Sequence, residues 1–286
     1  MKIIKRGIIK SLNKLGYNIS KKNEEITYLP ITNYSEAIYT RKYVYFDVDI
    51  DIICTMNQFF FSAKKWHFFT KMVEEIIKNQ NIESSGSILE KYYESYKPNS
   101  LKDFYFCLHE PEGLSVEDSK TLEENINTYI QNSPWSDVRD KVKMEEISEG
   151  GLAFWHGHQS YGPVTKAKIE LEIKRLKDTY HSIKTYGYQP TNYDGHIQGH
   201  FLRYKDEHRF IITGGVHRTA VLAALGYDKI PATFSQNWPR VIDYDDIPNF
   251  PLVRKGVFSK ELSQQILKSY FIDSGRDKAK ILGLID

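Results

Sequence analysis

Apolar residues in the second half of the chain fall into a sharp pattern. Between Lys166 and Tyr186, Ile169, Ile173, Leu176, Tyr180 and Ile183 recur three and four residues apart. That spacing lines one face of an α-helix and predicts one across the stretch. Gly187 ends it, and Pro190 forbids its continuation. Two β-rich runs follow, His200–Tyr204 and Arg209–Thr213, with the polar Lys205–His208 between them as a hairpin turn. Gly214-Gly215 then leads into a second helix, Val216 to Leu225, capped by Gly226, and Ile230–Phe234 returns as a strand.

Upstream the pattern is looser. Ile4, Ile8, Leu12 and Leu15 lie on one helical face among lysines, and a polar link runs from Asn18 to Glu25. Branched and aromatic residues at Ile26–Ile31, Tyr43–Phe46 and Ile50–Ile53 predict strands. Helices are expected over Trp66–Asn79, striped by Phe69, Val73, Ile76 and Ile77, and over Ile88–Tyr96, stopped by Pro98. Leu101–Phe106 fits a helical turn or a short strand, and Val116–Gln131 a further helix. After Trp238-Pro239-Arg240 and a proline-punctuated loop, Lys260–Phe271 reads as a C-terminal helix. The elements predict an α+β protein. A boundary in the Ser148–Gly151 turn would divide an N-terminal α+β region, 1–150, from a second domain, 151–286.

Composition narrows the function classes. In 286 residues, 39 basic and 37 acidic side chains leave a net charge of +2. Nucleic-acid binding draws most of its affinity from clustered positive charge, so nucleic acid is not expected as a partner. Cys54 and Cys107 cannot make a disulfide framework and point to a reducing compartment. Lys5, Arg6, Lys10 and Lys14 interrupt every apolar run near the start, and no run approaches the roughly 20 apolar residues of a membrane span. The expectation is a soluble, cytoplasmic protein. The 20 tyrosines would suit the wall of a polar ligand pocket, or reflect a low-GC compositional bias.

The candidate chemistry centres on the Gly214-Gly215-Val216-His217-Arg218 turn. Glycines after a strand let the backbone approach a ligand closely, and the helix behind them aims unpaired amides and the positive end of its dipole at that space. Arginine in the first turn can fork onto phosphate oxygens, while His217 can touch phosphate or act as acid or base. The candidate phosphate-binding set is Gly214, Gly215, Val216, His217, Arg218 and Thr219, with Lys166 from the preceding helix. The candidate catalytic residues are His217, Arg218 and Glu170; helical periodicity allows only one of Glu170 and Glu172 to face the site. His156 and His158 are placed at the pocket mouth. His196 and His200 do not share a helical face, and no protein-held metal is expected. Asp47, Asp49 and Asp51 alternate along a strand, which suits either a solvated face or the paired carboxylates of a nucleotide-sugar glycosyltransferase.

The residues Arg175-Leu176, Ser182-Ile183, Gly187-Tyr188-Gln189-Pro190, Ile211–Ala220, Leu225-Gly226 and Ile230-Pro231-Ala232 together resemble the ParB N-terminal/sulfiredoxin superfamily. The likeness covers residues 161–234, about a quarter of the chain. Sulfiredoxins carry a cysteine where this chain has Val216, so the resemblance implies phosphate binding without the redox reaction. It implies ATP with Mg²⁺, and transfer of phosphate to a small hydroxylated acceptor. The whole chain also resembles uncharacterised bacterial proteins of surface-polysaccharide gene clusters, which suggests a sugar. Alternatives are a nucleotide-binding switch or nucleic-acid-acting ParB-like protein, a glycosyltransferase using Asp47 and Asp49, and a catalytically idle scaffold.

Overall fold

Strands from both halves of the chain meet in one sheet. The computed structural model describes residues 29–31, 34–40, 44–105, 133–136, 152–190, 195–236, 238–272 and 274–286. The amphipathic segment at 4–15, the expected helix at 116–131 and the turn at 148–151 lie outside them. In chain order the elements are β1 (Leu29–Ile31), α1 (Tyr34–Tyr39), β2 (Val44–Asp49), β3 (Ile53–Cys54), α2 (Phe68–Lys78), α3 (Ile88–Ser95) and α4 (Leu101–Tyr105). They continue with α5 (Lys166–Tyr186), β4 (Ile197–Tyr204), β5 (Glu207–Gly214), α6 (Val216–Ala224), β6 (Lys229–Phe234) and β7 (Val241–Asp243). Three helices close the chain: α7 (Pro251–Arg254), α8 (Lys260–Ile272) and α9 (Arg276–Ile281).

The sheet runs β1-β2-β6-β4-β5-β3 and mixes parallel with antiparallel pairs, so the α+β class holds. β2 pairs antiparallel with β6, from Tyr45 opposite Thr233 to Asp49 opposite Lys229. One edge of β4 is shared: its start pairs with β6 and its middle with β7. The sheet's hydrogen bonds therefore cross the boundary expected near residue 150.

Two local expectations are corrected. Ile50–Ile52 forms a 3₁₀ turn instead of a strand. The Ile50 amide bonds the Asp228 carbonyl at 2.9 Å, and the chain then joins β5 through Ile53 opposite Phe210. Four strand spacings of a flat sheet are about 19 Å, more than the roughly 14 Å that three linking residues can bridge. The sheet is therefore curled, and β2 and β3 are close although they stand far apart in the strand order. The hairpin between β4 and β5 is also tighter than expected: Lys205 and Asp206 turn the chain, while Glu207 and His208 belong to β5.

Alternation along the strands feeds two cores. Val44, Phe46, Val48, Phe201, Phe210 and Ile212 face a large core closed by α2, α3, α5 and α6. Leu202, Ile211 and Ile242 face a second, which α8 closes with Leu262, Ile266, Leu267 and Tyr270. α5 is the predicted helix and buries Ile169, Ile173, Leu176, Tyr180 and Ile183. It starts where the Thr165 side chain accepts the Lys168 amide, and ends at Gly187, whose positive φ of 73° suits glycine. α5 packs directly on α6, which brings the long periodic helix against the Gly-Gly turn.

Candidate functional site

β5 ends at Gly214, and Gly215 begins α6 in the left-handed region, at φ 91° and ψ 24°, with no side chain capping the helix. A Cβ there would lie 3.0 Å from Ile197 Cγ1 and 3.2 Å from Arg218 Nη2. Both backbone strain and space therefore require glycine at this position. The Arg218 guanidinium folds back over the turn and donates to the Gly195 carbonyl. Tyr188 joins it there: its hydroxyl donates to Gly195 O at 3.1 Å and accepts from the Ile197 amide at 3.2 Å. Burial pushes the Tyr188 phenol up to about 12, against the opposing charge of Arg218. Burial and then Arg218 hold His196 below the usual imidazole range.

Beside Arg218 lies a cleft of about 530 Å³. Asp178, Thr179 and Ser182 of α5 line it, with Tyr188 and Gln189 from the following turn. Its volume is in the range of small-molecule sites.

On the other flank of the turn, His217 meets a sealed carboxylate. His217 Nε2 lies 2.5 Å from Glu172 Oε2. Lys168 Nζ approaches Oε1 at 3.0 Å and Arg175 Nη1 at 3.2 Å, and Gln159 Nε2 donates to Oε2 at 3.3 Å. Burial pushes the Glu172 carboxyl up; hydrogen bonding and charge from His217, with Lys168, outweigh it and hold the group down to about 2. The His217 ring stacks on Phe69 at 5.0 Å and keeps 18% side-chain exposure. Beneath lies His67, fully buried and held well below its ordinary range by burial and by His217.

Other expected site residues lie elsewhere. Glu170 faces solvent and pairs with Lys166 at 3.8 Å, because two residues of helix rotate it to the side away from Glu172. Lys166 goes with it, away from the turn. The Thr219 hydroxyl is spent on the Gly215 carbonyl at 3.0 Å and closes the first turn of α6. Val216 packs against the main core. His156 Nδ1 and Thr165 Oγ1 share a hydrogen bond of 2.8 Å at the start of α5, and His158 stacks on Tyr161 at 4.6 Å. His200 is buried against Trp238, its ring pushed down to about 3 by burial. Asp47 and Asp49 lie on the exposed face of β2, and Asp49 pairs with Lys229 at 3.6 Å across the strands. Among the described residues, no three His, Cys, Asp or Glu side chains converge to hold a metal. No described helix is long and apolar enough to cross a membrane.

Sequence reasoning missed Gln159 and Tyr188, and it left Asp178, Thr179 and Ser182 unassigned. No motif marks Gln159, which reaches the site from a loop; Tyr188 lies in the Gly187-Tyr188-Gln189-Pro190 stretch of the resemblance but was given no role. The three α5 residues had a usable signal: they lie three, four and seven positions beyond Arg175, on one side of the helix. In comparisons with protein-family models, curated proteins and solved structures, no match is found.

Proposed function

We propose that this chain is an ATP-dependent phosphotransferase acting on a small hydroxylated acceptor, with residues 161–234 forming a unit of the ParB/sulfiredoxin type. The observation that carries this reading is the uncapped start of α6. Gly215 is left-handed there, and Arg218, folded over the turn, lines the 530 Å³ cleft. Amides at a helix start stabilise phosphate in the ground state and the charge that develops during transfer. Arg218 adds a charge-assisted fork once it exchanges the Gly195 carbonyl for phosphate oxygens. The α5 side of the cleft would take the rest of the nucleotide.

The second component is a proton acceptor. The acceptor hydroxyl gives its proton to His217, its oxygen bonds the γ-phosphorus, and the bond from that phosphorus to the β,γ-bridging oxygen breaks to leave ADP. Mg²⁺ brought with the nucleotide would neutralise the triphosphate charge. A sugar or sugar derivative is the acceptor class this reading favours. The test is a melting-temperature screen of the full chain with ATP, ADP, CTP and GTP, with and without Mg²⁺, followed by ADP release in a pool of sugars. Stabilisation by ATP and acceptor-dependent ADP release are expected. No stabilisation by any nucleotide would sink the proposal.

A further inference from the structure

The catalytic assignment above leaves open which imidazole nitrogen of His217 reacts and what the N-terminal part of the chain contributes. One loop bears on both. Between Gly157 and Thr165 the backbone is fastened to α3 from below: the Tyr93 hydroxyl donates to the Gln159 carbonyl at 2.7 Å. Tyr92 donates to the Ser160 carbonyl at 2.6 Å, where Asn57 Nδ2 adds a second bond at 3.1 Å. The Gly162 amide bonds the Tyr96 carbonyl at 2.8 Å, and a Cβ on Gly162 would overlap the Tyr93 carbonyl at 1.9 Å. Tyr92, Tyr93 and Asn57 are buried, so these anchors are shielded from competing water. With its carbonyl held from below, Gln159 extends its side chain to the Glu172–His217 pair.

The donor inventory there has one consistent solution. Glu172, held as a carboxylate, can only accept. Lys168 and Arg175 supply Oε1. His217 Nε2, 2.5 Å from Oε2, must therefore carry a proton. The Gln159 amide must present its nitrogen, because the reverse orientation would set its oxygen against the carboxylate. Gln159 Nε2 and His217 Nε2, 3.3 Å apart, are then two donors converging on one oxygen.

We propose that Gln159, presented by the Tyr92- and Tyr93-anchored loop, is a positioning residue that fixes Glu172 and thereby commits His217 Nε2 as a donor, leaving Nδ1 as the atom that accepts the substrate proton. The catalytic half of this statement rests on the phosphotransferase reading; the tautomer half does not. The N-terminal region then serves the site by building the wall that holds Gln159.

The two halves are tested separately. In full-length, ligand-free protein with ¹⁵N-labelled histidines, two-bond ¹H–¹⁵N spectra report the tautomer of each ring, and His217 is assigned by the signal lost in His217→Asn. In the neutral ring a single Nε2–H form is expected, and a mixture of both forms in Gln159→Leu. A His217 ring protonated on Nδ1 alone in the unaltered protein would overturn the proposal, whether or not the chain turns over ATP. In the transfer assay, Gln159→Leu should lower kcat about tenfold to a hundredfold, the loss expected for one hydrogen bond to a charged group, with KM for ATP within twofold. An unchanged kcat in an enzyme that transfers phosphate would overturn the positioning role. Absence of transfer in the unaltered protein would count against the phosphotransferase reading, and the spectra would still decide the tautomer.

Discussion

Two ion pairs on α5 have the same chemistry and opposite fates. Lys166–Glu170 and Lys168–Glu172 each place a lysine four residues before a glutamate, and they start only two positions apart. The first stands in solvent, its side chains 73% and 56% exposed and 3.8 Å apart. The second is sealed against α6 and the loop at Gln159, 2% and 0% exposed and 3.0 Å apart. In water, side-chain entropy and screening cancel most of the attraction, so the outer pair adds little. Inside, two desolvated charges survive only because further donors complete the carboxylate: Arg175, Gln159 and His217. Half a turn of helix thus separates a solubilising surface from a candidate catalytic device.

The sharpest way to break the comparison is to remove one lysine from each pair. Lys168→Met leaves Glu172 buried without its ammonium partner and should cost about 3–5 kcal/mol in a urea unfolding titration. Lys166→Met should stay within about 0.5 kcal/mol. Equal losses would show that the inner pair is less sealed than its geometry indicates.

Acid separates the pairs next. The Glu172 carboxyl is held down to about 2 from an ordinary 4.5, so the unfolded chain binds this proton more tightly than the folded one. Its contribution is therefore fully present above about pH 4.5 and is lost as pH falls through about 2, on the order of 3 kcal/mol over that window. Comparing stability against pH for the unaltered protein and Glu172→Gln isolates the effect, because the amide variant should show a flatter acid limb.

Arg218→Ala tests the turn without touching either pair. Among the described residues its hydrogen bond goes to the Gly195 backbone carbonyl, so the fold should persist. ATP affinity should fall by about 1.5–3 kcal/mol, read by calorimetric titration. Unchanged affinity in a folded variant would remove the phosphate assignment. The smallest effect belongs to Glu170→Gln: a stability change below about 0.5 kcal/mol and unchanged ATP turnover, since the side chain faces solvent.

Much of the frame was legible in the residues. The stripe from Ile169 to Ile183 marked α5 through its full length, and Gly187 marked its end, because helix periodicity and capping are local properties. The Gly214-Gly215 pair marked the turn, since a left-handed residue before a helix calls for glycine whatever surrounds it. Ile50–Ile53 misled for the opposite reason: branched residues favour a strand, but the curl of the sheet required a turn there.

The sequence by itself determined most of the described helices and strands, and the glycine turn that begins α6. Only the tertiary structure decided which carboxylate lies against His217. Periodicity separates Glu170 from Glu172 without saying which face will be covered. Packing α6 and the Gln159 loop over one side buried Glu172, drew Lys168 and Arg175 to it and set His217 against it. The Tyr92 and Tyr93 anchors of that loop lie 66 and more residues away along the chain. Contacts at that distance have no local signature, because they exist only after the cores have formed.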